Sequence, residues 1–498
     1  MITQLHTPQD AAAWLAARVT GDLTTDSRQA RAGDGFIAWP GAAVDSRQYV
    51  AETLAVGGRA CLVEEQGVSE FEFDDSRIAC YVGLKAAAAP IAAAYYQYPS
   101  RQLQTVAITG TNGKTSTAWW LANALISVGK KCGVVGTLGM GEPSTMVFTG
   151  MTTPDPVALQ KQLRHFVDNG FAACAIEASS IGIAEHRLDA TQIQIGVFTN
   201  FTQDHLDYHP SMAHYWAAKE SLFAWPGLQS AVINIDDEKG AALAQQLAQK
   251  GIDVWTVSIA KAARIEAHHI EQGAQSLTFE LVEDDQRHTV LAATLGLYNV
   301  SNLLCVIGVL RALGVSLQDA AHACVDLPAV PGRLNSLAVA GAPLVVVDYA
   351  HTPDALEKVL KALQPVSQKR NGQLWCVFGC GGGRDASKRP LMGAAAQKHA
   401  DQVVVTSDNP RSENADAILG EIASGFISKL SVQVEPDRAK AIAQTIALAH
   451  ANDVVLIAGK GHESYQETNG VKYPFLDADH AQAALALRAV SNAAVVAS

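Results

Sequence analysis

The chain has 498 residues and no CxxC pair, its eight cysteines being scattered. That excludes a disulfide framework and a zinc ribbon, and implies reduced thiols in a cytosolic protein. Nor is there an excess of positive charge. The 37 Lys and Arg stand against 49 Asp and Glu, a formal net charge of −12. Non-specific nucleic-acid binding needs a basic footprint and is excluded, so any anionic ligand must be held by local Arg and Lys. Long apolar runs are missing too. The Ala-rich stretch 84–96 carries Lys85 and Pro90 and is too short to span a membrane. Residues 1–17 lack the basic start and apolar core of a signal peptide, and there is no tandem repeat or low-complexity tract. The remainder is globular, 48% hydrophobic and 17% charged. It is too long for one ordinary core, which implies roughly two to four domains.

One stretch organises the chain: Gly110-Thr111-Asn112-Gly113-Lys114-Thr115-Ser116. A short apolar run, 105–108, reads as a strand before it, and 118–128 reads as a helix after it. Strand, glycine turn, then a helix headed by Lys-Thr is the layout of a phosphate-binding loop. Glycines let backbone N–H groups approach phosphates, Lys114 reaches the outer ones, and Thr115 holds Mg²⁺. The spacing departs from the common Walker pattern. Five residues before Gly113 stands Ile108, and the glycine is Gly110.

Around this loop the chain divides into three α/β parts. Residues 1–97 alternate short apolar runs with Ala-rich helical stretches. Residues 98–331 carry the phosphate loop, a buried strand (172–176) ending at Glu177, and a strand (193–198) running into Thr199-Asn200-Phe201-Thr202-Gln203-Asp204-His205-Leu206-Asp207-Tyr208-His209. Glu177 reads as either an Mg²⁺ contact or a solvated strand-end carboxylate. So many titratable groups after one strand suggest a site, though two histidines alone are too weak a signal for zinc. Lys219 lies on an apolar helix face, 215–223. In residues 332–498, strands at 344–347, 374–378, 403–406 and 454–458 alternate with helices at 354–364, 388–399, 414–429 and 437–451. This is an open, mostly parallel, Rossmann-like sheet. Each strand ends in a polar stretch: Asp348-Tyr349-Ala350-His351-Thr352-Pro353, Gly381 to Asp385, Asp408-Asn409-Pro410-Arg411, and Gly459-Lys460-Gly461-His462-Glu463. Ligands bind outside the carboxyl ends of strands in such sheets, so four stretches on one edge read as a ligand-facing rim.

The set GTNGKT, EASS…EHR, TNFTQDHLDYH, YNVSN, VPGR, DYAHTP and GKGHE closely resembles the Mur ligases over nearly the whole chain. The resemblance implies an ATP-dependent amide ligase of peptidoglycan precursor synthesis. It further implies a UDP-substrate domain (1–97), an ATP-binding domain (98–331) and an amino-acid-binding domain (332–498). Asp408 to Arg411, with Arg384 and GKGHE, resembles the branch that adds meso-diaminopimelate to UDP-N-acetylmuramoyl-L-alanyl-D-glutamate. The alternatives are the L-lysine-adding enzyme, the ligase adding D-alanyl-D-alanine, and folylpolyglutamate synthase. Arg384 with DNPR and GKGHE speaks against the last two. A regulatory ATPase would leave a carbamate-type lysine without a purpose.

By resemblance, Lys114 and Thr115 serve the phosphates and one Mg²⁺, Glu177 is a further metal ligand, and His205 binds a second Mg²⁺. Lys219 matches the lysine that becomes an N-carboxylated carbamate; an ammonium would repel Mg²⁺, whereas a carbamate supplies anionic oxygens. Asn299, Arg333 and Asp348 match nucleotide contacts, Asp348 being suited to ribose hydroxyls. Thr25, Ser27, Ala42, Ala43 and Val44 match the uridine side, and Thr152, Thr153, Ser179, Glu185 and Arg187 the sugar-peptide. Met151, Glu185 and Ala42 stand where the family often has Asn, Gln and His. Beside an anionic ligand, Glu185 requires protonation, a partner such as His186 or Arg187, or a different local contact. For diaminopimelate, Arg384 and Arg411 offer bidentate contacts to carboxylates, while Glu463 and Asp408 accept from ammonium, with Asn409, Pro410 and Gly459 completing the pocket. L-Lysine has no distal carboxylate and would leave a buried Arg411 without a partner.

Overall fold

The structure, a computed structural model, describes residues 2–41, 44–273, 276–428 and 430–496, with side chains to residue 489. It contains three α/β sheets in chain order. The first has five parallel strands in the spatial order Thr3–Leu5, Ile78–Tyr81, Ala60–Glu64, Gly35–Ala38, Leu23–Thr24. One face packs on the helices Pro8–Ala16 and Leu84–Tyr95 through Trp14, Leu15, Leu84 and Ile91. Val157, from the helix Pro156–Asp168, joins the same cluster and ties this sheet to the next part of the chain.

The central sheet has ten strands. The phosphate-loop strand Gln104–Thr109 sits between the parallel strands Ala173–Glu177 and Ile195–Phe198. Its neighbours beyond are Cys132–Gly136 on one side and Ser230–Asn234 and Asp253–Ser258 on the other, all parallel. The strands at the centre are almost wholly buried because helices cover both faces, and only Asp253–Ser258 toward the edge is partly open. Lys114–Ser127 and Leu297–Ala312 lie in the core on one side. Pro156–Asp168 and Glu238–Gln249 lie on the other. The far edge continues into an antiparallel ladder, Ile265–Gln272, Leu277–Glu283 and Gln286–Ala292, which the sequence reading did not anticipate.

The third sheet runs Asn335–Leu337, Leu344–Asp348, Val454–Ala458, Leu374–Phe378, Gln402–Val405, Val432–Val434. All its pairs are parallel except the first. The strand order reverses around Val454–Ala458, which lies between Leu344–Asp348 and Leu374–Phe378. Crevices at such switch points bind ligands. The helix Lys388–His399 matches the sequence reading, whereas Ala415–Ala423 stops short of residue 429. A hairpin, Tyr465–Thr468 with Val471–Pro474, follows the GKGHE stretch. Among the described residues no helix is long and apolar enough to cross a membrane. All eight cysteines are free and buried.

Candidate active site

The helix Lys114–Ser127 begins immediately after Gly113, headed by Lys114 and Thr115 as the motif indicates. Gly113 has φ +87°, and a Cβ there would lie 2.3 Å from Asn302 Oδ1; Gly110 has φ +147°, and a Cβ would meet Thr199 Oγ1 at 1.9 Å. Both positions therefore demand glycine. The loop is held from outside as well: the Thr111 N–H donates to Asn200 O, and the Asn112 N–H to Asn200 Oδ1. Lys114 Nζ folds back to donate to the carbonyls of Gly110 and Thr111, at 2.8 and 2.9 Å. Burial pushes its ammonium down from the usual range, with Glu177 and Asp204 opposing.

Glu177 is 1% exposed, so the solvated reading fails. Its Oε2 accepts from Thr115 Oγ1 at 3.0 Å and from Thr137 Oγ1 at 3.2 Å, and its Oε1 accepts from the Thr137 N–H at 2.8 Å. Thr115 and Glu177 are thus brought together, as their proposed roles require. Lys219 is 1% exposed, donates to Gly110 O at 2.8 Å and lies over the Tyr215 ring at 4.4 Å. Burial and the neighbouring Lys114 charge push Lys219 well below the normal lysine range. His205 packs edge-on against Tyr215, the ring centres 5.9 Å apart, and takes a left-handed backbone with φ +54°. Its Nε2 is 3.5 Å from Asp204 Oδ2, and burial holds its pKa below the ordinary value. Among the described residues no group of three or more His, Cys, Asp or Glu is placed to hold a metal. The donor set fits a hard cation that keeps most of its oxygens from phosphate and water, as Mg²⁺ does.

A pocket opens between the central and C-terminal sheets. Asn112, Ser116, Asn299, Arg333, Asp348 and Lys358 are among its lining residues. Asp348 is buried, its two oxygens accepting from the Leu334 and Ala350 N–H groups, and burial raises its pKa. Arg333 lies over the Tyr349 ring at 4.5 Å and donates to Thr115 Oγ1. Asn299 donates to Leu295 O and accepts from Asn302. Asn112 Nδ2 donates to Asp354 Oδ2 at 2.9 Å, so the phosphate loop and the third sheet's first helix, Pro353–Lys369, share a direct bond.

On the C-terminal rim, Arg411 Nη1 donates to Gly382 O at 2.7 Å, and its Nε stands 3.7 Å from Glu467. Its side chain is 25% exposed, which corrects the expectation of a buried arginine: it opens onto the rim and already has a carboxylate nearby. Arg384 is more open and lies 3.8 Å from Asp207 of the central part. Asp408 and Asn409 are buried, Gly459 approaches Asp408, and Glu463 accepts from Asn409 Nδ2 at 2.8 Å.

In the cleft between the first two sheets, Glu185 accepts from Lys85 of the first part at 2.6 Å and from the Tyr208 hydroxyl. Those two hydrogen bonds hold its carboxyl below the usual range. Of the three alternatives the sequence leaves open, the structure shows the different local contact: Glu185 pairs with Lys85 and Tyr208, not with His186 or Arg187. His186 pairs with Asp189, and Arg187 donates to Thr153 O. Thr152 shares a hydrogen bond with Thr137, and Thr153 shares one with Ser179. Thr25 is tied across the cleft to Asp155. Ser27 opens a short 3₁₀ turn capped by Asp26, and Val44 is exposed. Ala42 and Ala43 lie outside the described residues.

Residues 108–310 match the Mur ligase middle domain, and residues 332–461 match the Mur ligase, glutamate ligase domain. The chain is 57% identical over 491 residues to the UDP-N-acetylmuramoyl-L-alanyl-D-glutamate--2,6-diaminopimelate ligase of Acidovorax sp. (strain JS42), covering 97% of this chain and 98% of that one. It belongs to the Mur ligase family. Among solved structures, one of a ligase of the same name is 34% identical, with TM-score 0.64 and coverage of 94% and 95%. MurF from Acinetobacter baumannii, at 19% identity and TM-score 0.68, shares the fold across 97% of this chain and 98% of that one.

Several residues of this Mur ligase site escaped sequence reading: Thr137 on Glu177, Tyr215 in contact with both His205 and Lys219, Asp354 on the phosphate loop, and Lys85 on Glu185. None sits in a motif, and all but Tyr215 act on a residue far away in the chain. Lys460 lies inside a motif but shows its role only through its contacts.

Proposed function

We infer that the chain is an ATP-dependent amide ligase that adds meso-diaminopimelate to UDP-N-acetylmuramoyl-L-alanyl-D-glutamate in peptidoglycan precursor synthesis, in the cytoplasm. The observation that carries this reading is the 57% identity, across almost the entire chain, to a relative named for that reaction. The reading divides the chain into 1–97 for the UDP-substrate, 98–331 for ATP and 332–498 for the amino acid.

An oxide is a poor leaving group, so the substrate carboxylate must be activated. The γ-phosphoryl group of ATP passes to a carboxylate oxygen, giving an acyl phosphate and ADP. The neutral amine of diaminopimelate attacks the carbonyl carbon, loses a proton, and inorganic phosphate leaves from the tetrahedral intermediate. Lys114 and the loop N–H groups hold the phosphates and offset the charge that develops on them. Asp348 and Asn299 fix the nucleoside end, and Arg333 braces Thr115. Mg²⁺, held by Thr115 and Glu177 and at a second position by His205 and a carbamate of Lys219, supplies positive charge beside the phosphates. Lys219 suits carbamate formation because carbon dioxide reacts with a neutral amine, the form its burial favours. Thr25, Ser27, Thr152, Thr153, Ser179 and Arg187 line the path of the UDP-substrate. Arg384 and Arg411 face the distal carboxylate of the amino acid, with Asp408, Asn409 and Glu463 facing its ammonium.

ATP hydrolysis measured across a panel of amino acids, with and without the UDP-muramoyl-dipeptide, tests the reading. Turnover should require both the dipeptide and diaminopimelate. Turnover that needs neither would overturn it in favour of a regulatory ATPase.

A further inference from the structure

Lys460 is among the most completely buried long side chains in the protein, with 0% exposure. Its ammonium donates to Asn409 Oδ1 and to Glu463 Oε2, each at 3.0 Å. Asn409 Nδ2 donates to the same Glu463 oxygen at 2.8 Å, and Asn409 Oδ1 also accepts from the Glu467 N–H at 2.9 Å. The Arg411 N–H in turn donates to Glu467 O at 3.0 Å, and the Asn469 N–H donates to Arg411 O at 2.7 Å. One buried cation therefore stands at the root of a chain of bonds through Asn409, Glu463, the hairpin 465–474 and Arg411.

The bonding fixes how both neighbours are turned. An asparagine side chain can present either its oxygen or its nitrogen to a neighbour. With Lys460 and the Glu467 N–H both donors, the Asn409 oxygen must face them, and its nitrogen must face Glu463. The Glu463 carboxylate accepts from Lys460 and Asn409 on one oxygen, while its other oxygen stands 3.3 Å from the Tyr349 hydroxyl. Lys460 has no exposed surface with which to touch a substrate, so its effect must pass through these neighbours. A buried ion pair is weak grounds for a stabilising role, and fixing one arrangement is its better-attested use.

We propose that Lys460 is a positioning residue for amino-acid recognition, holding Asn409 and Glu463 in the arrangement that receives the ammonium of the incoming diamino acid. This rests on the ligase reading above. The loss of charge-assisted bonds of this kind corresponds to an effect of about tenfold to a hundredfold on binding.

The test is steady-state kinetics of the full chain with saturating UDP-muramoyl-dipeptide. The variants are Lys460→Met, Glu463→Gln and the double variant, with thermal unfolding measured alongside. Wild-type turnover is read first, and its independence of diaminopimelate would overturn the ligase reading and this inference together. With wild type active, Lys460→Met should raise KM for diaminopimelate at least about tenfold and leave KM for ATP within about twofold. In the Glu463→Gln background the same substitution should add little, because its route is already cut. Should Lys460→Met fail to fold, Lys460→Gln gives the same reading, since it removes the charge and keeps a donor for Asn409. Equal rises in both KM values, or full additivity with Glu463→Gln, would overturn the positioning role and leave the ligase reading standing.

Discussion

Lys114 and Lys219 reach the same acceptor: each side-chain nitrogen stands 2.8 Å from the carbonyl oxygen of Gly110. Two ammonium groups on one carbonyl, both removed from water, repel each other. Lys219 yields, its pKa lowered by burial first and by the Lys114 charge second. The unfolded chain holds that proton more tightly, so this lysine costs stability below its ordinary pKa, a cost that stops growing once pH falls beneath its lowered value. Its neutral amine is the form that captures carbon dioxide. Labelling with ¹³C-bicarbonate should give a carbamate carbon signal in wild type that is absent in Lys219→Ala. That variant should lose at least about a hundredfold in turnover. High bicarbonate should not restore it, whereas short-chain carboxylates should partly do so. Near-normal turnover of Lys219→Ala without additives contradicts the role.

Glu177 has one oxygen against Thr115 and Thr137 and the other against the Thr137 N–H. Replacing it with glutamine keeps the shape and removes the charge. We expect the Mg²⁺ concentration for half-maximal activity to rise about tenfold or more, with metal-free nucleotide binding little changed. Titration of activity against Mg²⁺ measures this, and an unchanged midpoint contradicts a metal-ligand role.

Lys85 and Glu185 join the first two sheets across the proposed UDP-substrate cleft, the lysine side chain being 51% exposed. An ion pair so open to solvent contributes less than about 1 kcal/mol to stability. Lys85→Ala should therefore leave the unfolding midpoint nearly unchanged. KM for the UDP-substrate should rise several-fold while KM for ATP holds, because Glu185 is left as an unpaired anion beside an anionic ligand. A matching rise in both KM values would mean that the pair serves the whole fold.

Much of this architecture was legible in the chain, and what was not has a physical reason. The loop at Gly110 to Ser116 could be read because chemistry, turn geometry and flanking elements all lie within a few neighbouring residues. The C-terminal strands could be read because burial on both faces leaves unbroken apolar runs such as Val454–Ala458. The antiparallel ladder was hidden because one face is solvated and its strands carry Glu266, His268, His269 and Glu280. The Lys85–Glu185 pair joins residues 100 positions apart, and local pattern carries no record of such a partner. Likewise the DNPR stretch points to Arg411 as a contact for a substrate carboxylate, and only the folded hairpin brings Glu467 beside it.

His351 and His462 lie at the junction of the central and C-terminal sheets, and burial pushes each pKa down to about 4. The unfolded chain takes these protons first, near the ordinary value of 6.5. Stability is therefore full above that pH and is lost as pH falls toward the folded value. Between pH 7 and 5 the loss should be about 1–2 kcal/mol per histidine. Urea unfolding at the two pH values checks this, and His351→Gln should remove its share of the difference. An equal loss in that variant would contradict the assignment.

The central claim is the choice of amino acid, and its most direct measurement is kcat/KM for meso-diaminopimelate and for L-lysine, in wild type and in Arg411→Ala, with UDP-muramoyl-dipeptide saturating. A charge-assisted bidentate pair contributes about 1.5–3 kcal/mol, which corresponds to a preference on the order of a hundredfold. Because Arg411 is part-exposed and has Glu467 beside it, the cost of leaving it without substrate is smaller than for a buried arginine, so the preference rests mainly on the bond gained. The account predicts that wild type favours diaminopimelate by about that factor, and that Arg411→Ala loses most of it through a weaker diaminopimelate reaction, with no gain for lysine and ATP binding intact. Equal use of L-lysine by wild type, or an unchanged preference in Arg411→Ala, would contradict it.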